Sequence, residues 1–187
     1  IFNWIPSWER SGPRTSSNNV DCRFTQEWPV GSQRHQFSYT IPMTYFAERS
    51  DGQLFQAQGF GDIALNYRYQ VSDGKGSLPA FAPRFSVILP TGEVESGLGN
   101  GHLGYQINLP FSKELPRWAF HFNAGYTTIP GARGGVDPLL AFEGRTLNGY
   151  NLGASAIRFV RPNFHLMLEF LTLWDEALLF NGEKASR

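Results

Sequence analysis

Residues 101–128, GHLGYQINLPFSKELPRWAFHFNAGYTT, decide the fold. In the first half every second residue is apolar or aromatic, namely Leu103, Tyr105, Ile107, Leu109 and Phe111. After a short turn around residues 114–117 the alternation resumes with Trp118, Phe120, Phe122, Ala124 and Tyr126. Successive side chains of a strand point to opposite faces. The stretch therefore predicts a β-hairpin with one apolar face and one polar face.

Bulk composition narrows the class of protein. The chain has 187 residues, 16 Lys and Arg against 16 Asp and Glu, and a mean hydropathy of −0.30. Because it has no basic run to neutralise phosphates, nucleic acid is not an expected partner. The single cysteine, Cys22, excludes an internal disulfide framework and a cysteine-based zinc site. No apolar run reaches the roughly 20 residues of a membrane helix, whereas the alternating strands of membrane barrels average to a polar hydropathy.

The same alternation recurs in six further stretches. They lie at about residues 20–28, 37–45, 63–69, 81–89, 150–156 and 164–170. With the two arms of the hairpin they predict about eight strands. Pro42 lacks a backbone N–H, so we expect a bulge or a pairing defect there. Polar or glycine-rich composition predicts loops at residues 9–19, 48–59, 91–100 and 129–146.

The predicted connections alternate in length. Short turns lie near Gly31, Gly74, Pro116 and Pro162, and longer connections lie near Ser16, Asp51, Glu95 and Gly135. This alternation is typical of up-and-down outer-membrane barrels, whose strands of about ten residues cross the bilayer at a tilt. We therefore predict an all-β protein, a single antiparallel up-and-down transmembrane β-barrel over residues 1–187. We expect the chain to be incomplete at both ends, with ten to fourteen strands in the full protein, since single-chain barrels have roughly 8 to 26 strands in even number.

The two faces of these strands predict which side meets lipid. The polar residues predicted to line the lumen are Asp62, Asn66, Arg68, Arg84, Gln106, Asn108, His121, Asn123 and Glu169. The apolar residues predicted to face lipid are Leu65, Tyr67, Val87, Tyr105, Ile107, Trp118, Phe120, Phe122 and Leu168. Arg158 is the exception on the apolar face, and we expect it to snorkel to the interface or to turn inward at a bulge. A soluble barrel or sandwich has the same alternation with its apolar residues inside, and it is the alternative.

Aromatic residues collect at both ends of the predicted apolar face. Those near the short turns are Tyr67, Tyr69, Phe81, Phe111, Trp118 and Phe164, and those near the opposite end are Tyr45, Tyr126, Tyr150 and Trp174. Aliphatic residues such as Leu65 and Ile107 lie between them. Two aromatic girdles around an apolar band are typical of a membrane barrel.

Several short motifs resemble one family of proteins. They are GFGD at 59–62, NYRY at 66–69, FSVILPTG at 85–92, GNG at 99–101 and HFNAGY at 121–126. In this order, over about residues 37–170, the chain resembles a family of bacterial outer-membrane barrels labelled as a transporter of the phenol-degradation meta-pathway. The resemblance implies a location in the bacterial outer membrane and passage of small hydrophobic or aromatic compounds. It supplies no catalytic motif.

Three groups of residues are candidates for chemistry. His121 and Asn123, with Ser86 or Ser112 near, are the residue types of an acyl hydrolase, but they point to the predicted lumen and we expect no enzyme. The four histidines lack metal-ligand spacing, so neither a metal site nor a cofactor is predicted. The charges predict an ion-pair cluster that fills the bore or sets its selectivity, formed by Asp62, Arg68 and Arg84.

The sequence thus predicts a transporter or channel for small molecules, with hydrophobic or aromatic compounds as candidate substrates. The alternative is a structural or partner-binding outer-membrane barrel with a plugged lumen, part of a larger assembly. The expected partners are outer-membrane lipid, a small hydrophobic substrate and, for the alternative, other proteins of the envelope.

Overall fold

The computed structural model describes residues 2–11, 16–50, 53–133, 144–178 and 184–186. The described residues form strands, turns and irregular connections, with strands over 72% of the chain. Among these residues there is no helix that is long and apolar enough to cross a membrane.

All strands belong to one antiparallel meander. The strands are β1 (Phe2–Ser11), β2 (Ser16–Val30), β3 (Ser32–Ser50), β4 (Gln53–Phe60), β5 (Ala64–Tyr69), β6 (Ser72–Asp73), β7 (Ala80–Phe81), β8 (Arg84–Ile88), β9 (Gly104–Leu115), β10 (Trp118–Ala132), β11 (Arg145–Arg161), β12 (Phe164–Leu178) and β13 (Lys184–Ser186). Their order is β1-β2-β3-β5-β8-β9-β10-β11-β12-β13, with β4 paired to β3 and β7 paired to both β6 and β9. The sheet curls into a half-barrel, and among the described residues no ladder joins its two ends.

The predicted strands are all present. The eight alternating stretches are β2, β3, β5 and β8 to β12, and β1 and β13 flank them. This confirms the all-β antiparallel fold. The turn at Gly31 and the loop at 91–100 are also confirmed. Of the long connection predicted at 129–146, residues 134–143 lie outside the described part.

Two predicted loops are wrong in large part. Residues 9–11 and 16–19 are strand, with Ser11 opposite Ser17. Residues 48–50 and 53–59 are strand too, with Ser50 opposite Gln53. Backbone ladder bonds do not depend on side-chain polarity, so a hairpin rich in polar residues and glycine can have the composition of a loop.

The ladder between β3 and its neighbour is interrupted beside Pro42. Met43 lies opposite Phe60 and Thr40 opposite Ala64, so residues 61–63 face only residues 41–42. This is a one-residue bulge that separates β4 from β5. The Gly61 N–H donates to the Pro42 carbonyl at 2.9 Å. The predicted pairing defect is confirmed, and it sets Asp62 outside the regular ladder.

The turn of the β2–β3 hairpin can be tested by substituting Gly31. Gly31 has φ +71°, and a Cβ there would meet no atom within 4 Å. A Gly31→Ala change therefore adds backbone strain without a clash, and we expect it to cost about 1–2 kcal/mol. Gly31→Asn should cost less, because Asn tolerates the left-handed region. The shift of the urea unfolding midpoint, followed by tryptophan fluorescence, measures both; equal stability of Gly31→Ala and the parent would contradict the turn.

Candidate functional site

In the middle of the sheet the polar face is largely packed and the apolar face is open. On β12 both faces are exposed, and Leu171 and Leu173 lie on the polar side. Leu65 is 45% exposed while its neighbour Asn66 is 6% exposed, and Ile107 is 43% exposed while Asn108 is 7%. Among the described residues the buried hydrophobic ones are few, and two of the four are alanines: Ala119, Ile129, Ala132 and Leu147. A soluble barrel would bury the opposite face. The candidate site is therefore the polar face.

A contact that skips a strand shows that the polar face is concave. Arg68 of β5 reaches across β3 to Glu27 of β2, with Nη2 3.5 Å from Oε1. On the way the same guanidinium donates to Gln36 of β3. Asn66, one pair along the strand, donates to Ser38 at 3.2 Å. Polar side chains thus contact one another across several strands on the inner side of the curl.

Side-chain amides form a continuous network over β9, β10 and β11. Gln106 donates to Thr127 at 2.8 Å, and Asn108 donates to Gln106 at 2.9 Å. Asn123 donates to Asn108 at 3.4 Å and to Asn151 at 2.9 Å. These amides satisfy one another while keeping free lone pairs and N–H groups on the concave face.

The predicted cluster of Asp62, Arg68 and Arg84 is wrong. Asp62 accepts hydrogen bonds from the backbone N–H of Gly92 at 2.9 Å and of Asn100 at 2.8 Å instead. Arg84 lies directly opposite Arg68 in the β5–β8 ladder, so the two like charges share one row. The reason is the bulge beside Pro42, which directs Asp62 toward the β8–β9 loop.

The β8–β9 loop, residues 89–103, is the part of the site that sequence reasoning missed. It lies against the concave face, with Leu98 Cδ1 2.8 Å from the position of a Cβ on Gly59. On its far side the Asn100 carbonyl accepts the N–H of Arg133 at 2.8 Å. The glycine-rich composition predicted a loop but not its inward path. The sequence signal for this path was the pair of glycines Gly92 and Gly99, because the loop brings their backbones into contact.

The hydrolase candidates are only partly assembled. Ser112 Oγ lies 2.8 Å from His121 Nδ1. Asn123 turns its amide to other amides, Ser86 is buried on β8, and Glu169 lies two ladder steps from His121, beyond Ser155. A catalytic triad needs an orienting group on one ring nitrogen and the nucleophile on the other. In the described residues no group of three or more His, Cys, Asp or Glu side chains is placed to hold a metal ion.

The residues predicted to face lipid lie on the open face. Seven of them are exposed, namely Leu65, Tyr105, Ile107, Trp118, Phe120, Phe122 and Leu168. Tyr67 and Val87 are half-buried, and the hydroxyl of Tyr67 lies 2.7 Å from His35 Nδ1. The open face is thus a continuous apolar surface.

Polar groups border this apolar surface at both ends. Near the short turns, the Arg158 guanidinium lies 5.4 Å above the Trp118 ring, and the ladder stays regular at this residue. Arg158 therefore remains on the apolar face at its edge. At the other end, Tyr126 donates to Asn148 at 2.7 Å, and Asn148 donates to Glu176 at 3.2 Å.

The short turn at 73–78 lies near the short-turn end of the apolar surface, beside Lys113 of β9. Lys113 donates to the Leu78 carbonyl at 2.9 Å and to the Gly74 carbonyl at 3.3 Å. Within the turn, the hydrogen bond from Lys75 holds the pKa of the Asp73 carboxyl below its ordinary value. The Lys75–Asp73 ion pair is exposed, so it indicates a hydrated boundary and adds little stability.

These features define a class of protein: an antiparallel up-and-down sheet of the barrel type, polar on its concave face and apolar on its convex face. The family model described as "Putative MetA-pathway of phenol degradation" matches residues 12–131. The chain belongs to this family, as its motifs indicated. No curated protein matches the sequence.

The amide network predicts a marked effect of one methyl group. A Cβ on Gly125 would lie 2.8 Å from Asn151 Cγ and would also press on Asn108. We expect Gly125→Ala to cost about 1–3 kcal/mol of unfolding free energy, as overpacking does. Gly153→Ala is the matched control, because its Cβ would meet nothing nearer than Leu171 at 3.6 Å. Urea unfolding of both variants measures the difference, and equal midpoints would contradict the packing of the network.

Proposed function

We propose that this protein is an outer-membrane barrel that passes small hydrophobic or aromatic molecules along its polar concave face. One observation carries the proposal: large apolar side chains cover the convex face while Asn66, Ser86 and Asn108 are buried on the other. Water would expose the apolar face at a large free-energy cost, whereas lipid accepts it. In this proposal the predicted lumen and lipid residues keep those roles, and the protein is not an enzyme.

The height of the apolar band supports a membrane location. On β10 it extends from Trp118 to Tyr126, eight residues further along the strand. At about 3.3 Å per residue this is about 26 Å, and a tilt of about 40° leaves about 20 Å along the membrane normal. Aromatic rings at both ends add to this height. The result approaches the roughly 25 Å band of outer-membrane barrels, whose membrane is thinner than average.

The chemistry of the concave face supports a neutral, hydroxyl-bearing solute. Amides and hydroxyls such as Gln106, Asn108 and Thr127 offer donors and acceptors without a fixed charge. A phenolic hydroxyl both donates and accepts a hydrogen bond, so it could bond to these amides and hydroxyls. The description of the family, which names phenol degradation, favours the same class.

A second candidate is a structural or partner-binding barrel whose interior is closed. The β8–β9 loop favours it, because Leu98 and Asn100 occupy space on the concave face. The two candidates differ in one measurable property, the flow of ions and solutes through the folded protein.

Charge substitution on the convex face tests the membrane location. Leu168 is 77% exposed, so in water a Leu168→Arg change would alter stability by no more than about 0.5 kcal/mol. In a bilayer it should cost about 1–3 kcal/mol, because Leu168 is level with Phe120, between the edge of the apolar band and its middle. Glu169→Arg, on the opposite face of the same strand, is the control and should cost much less. Unfolding from lipid vesicles measures both, and equal costs would refute the orientation.

Electrical recording tests passage. In planar bilayers we expect the refolded protein to give discrete conductance steps, because polar side chains line the path. Millimolar phenol or catechol should reduce the current reversibly by occupying that path. Folded protein that inserts without any conductance would refute transport and favour the closed barrel.

A further inference from the structure

We propose that the β8–β9 loop, residues 89–103, is the constriction of the pathway, and that Asp62 is the residue that positions it. This inference rests on the proposed function, because a constriction has meaning only if solutes pass. It assigns to Asp62 a role in size selection.

The loop lies inside the curl and does not project beyond the strands. Gly59 of β4 is opposite Thr44 of β3, and the Thr44 hydroxyl donates to Asp21 at 2.7 Å on the concave face. A Cβ on Gly59 would project to the same side, and it would meet Leu98. The loop therefore covers the inner side of β4.

Asp62 uses both carboxylate oxygens to fasten the loop at two points. Oδ1 accepts the Gly92 N–H at 2.9 Å. Oδ2 accepts the Asn100 N–H at 2.8 Å and the Asn100 side-chain amide at 3.0 Å. Hydrogen bonds to a carboxylate are roughly twice as strong as neutral ones. One side chain thus ties the beginning of the loop to its end, and both to the wall.

Close backbone packing completes the fastening. A Cβ on Gly92 would lie 2.7 Å from the Gly99 Cα, so only glycine permits the two loop segments to touch. Thr91 Oγ1 accepts the Ile63 N–H at 2.9 Å and donates to the Gly61 carbonyl at 3.1 Å. The loop is therefore held by specific hydrogen bonds and by backbone packing.

The loop is attached on both sides of β8 and β9, which are shorter than their neighbours at this end of the sheet. β8 ends at Ile88 and β9 begins at Gly104, whereas β4 and β10 continue further in the same direction. The loop bridges these taller neighbours through Asp62 on one side and Arg133 on the other. It therefore crosses the concave face at the end of the path where the long connections lie.

Removing the fastener is the test, with single-channel conductance and the largest permeating sugar as readouts. We expect Asp62→Ala to raise the conductance by about twofold or more and to admit larger sugars, since pore diameter sets both. Gly92→Ala should act in the same direction, because it forces the two loop segments apart. Asp73→Asn is the matched control and should leave both readouts unchanged, because Asp73 is exposed in the turn and paired with Lys75 at 3.1 Å.

A cross-link separates loop displacement from general damage. In a Cys22→Ser background, Gly59→Cys with Leu98→Cys should form a disulfide that holds the loop to β4. We expect this cross-link to restore the small conductance of Asp62→Ala, and reduction should raise it again. If Asp62→Ala does not fold, Asp62→Asn with Thr91→Val takes its place.

The outcomes distinguish the two proposals. Parental conductance in folded Asp62→Ala, or a raised conductance that the cross-link does not lower, would overturn the inference and leave transport intact. No conductance in the parent and in Asp62→Ala alike would overturn the proposed function. A silent parent with a conducting Asp62→Ala would keep the loop as the closing element and favour the closed barrel.

Discussion

Antiparallel ladder hydrogen bonds hold this protein together, because its described residues bury almost no hydrophobic core. The buried apolar set reduces to two alanines, Ile129 and Leu147. Backbone pairing satisfies the N–H and C=O groups strand by strand, whatever side chains the strands carry. That freedom lets the sequence place its apolar residues on the convex face and its polar residues on the concave face. The hydrophobic effect then acts between the protein and its surroundings rather than within the chain.

Where the ladder is interrupted, hydrogen bonds from side chains replace the missing backbone hydrogen bonds. Pro42 lacks a ladder donor, and the resulting bulge leaves residues 61–63 without regular partners. Thr91 bonds to the backbone on either side of this gap, and Asp62 uses the gap to reach the neighbouring loop. The defect in one strand is thus what places a carboxylate against the backbone of another segment.

The period of two made the strands and their faces predictable, since it depends only on neighbouring residues. Hairpin extensions such as that around Ser50 were not predictable, because polar residues and glycine predominate in them and composition then suggests a loop. The partner of Asp62 was not predictable either. Arg68 and Arg84 share its polar face in the sequence pattern, but Gly92 and Asn100 reach it only through a loop path that no local pattern encodes.

The side chains of the concave face are arranged differently in its middle and at its short-turn end. In the middle of that face the small residues are covered by their neighbours: Ser86 is 1% exposed, and Asn108 and Asn151 close over Gly125. Long side chains occur toward the short-turn end, where Arg68 and Arg84 face one another and Glu27 offsets part of their charge. In the proposed pathway, charged side chains would line one end and the backbone of the β8–β9 loop would line the other. Under the proposed function, charge would select by sign and the fastened loop by size, so the two ends would act on different properties of the solute.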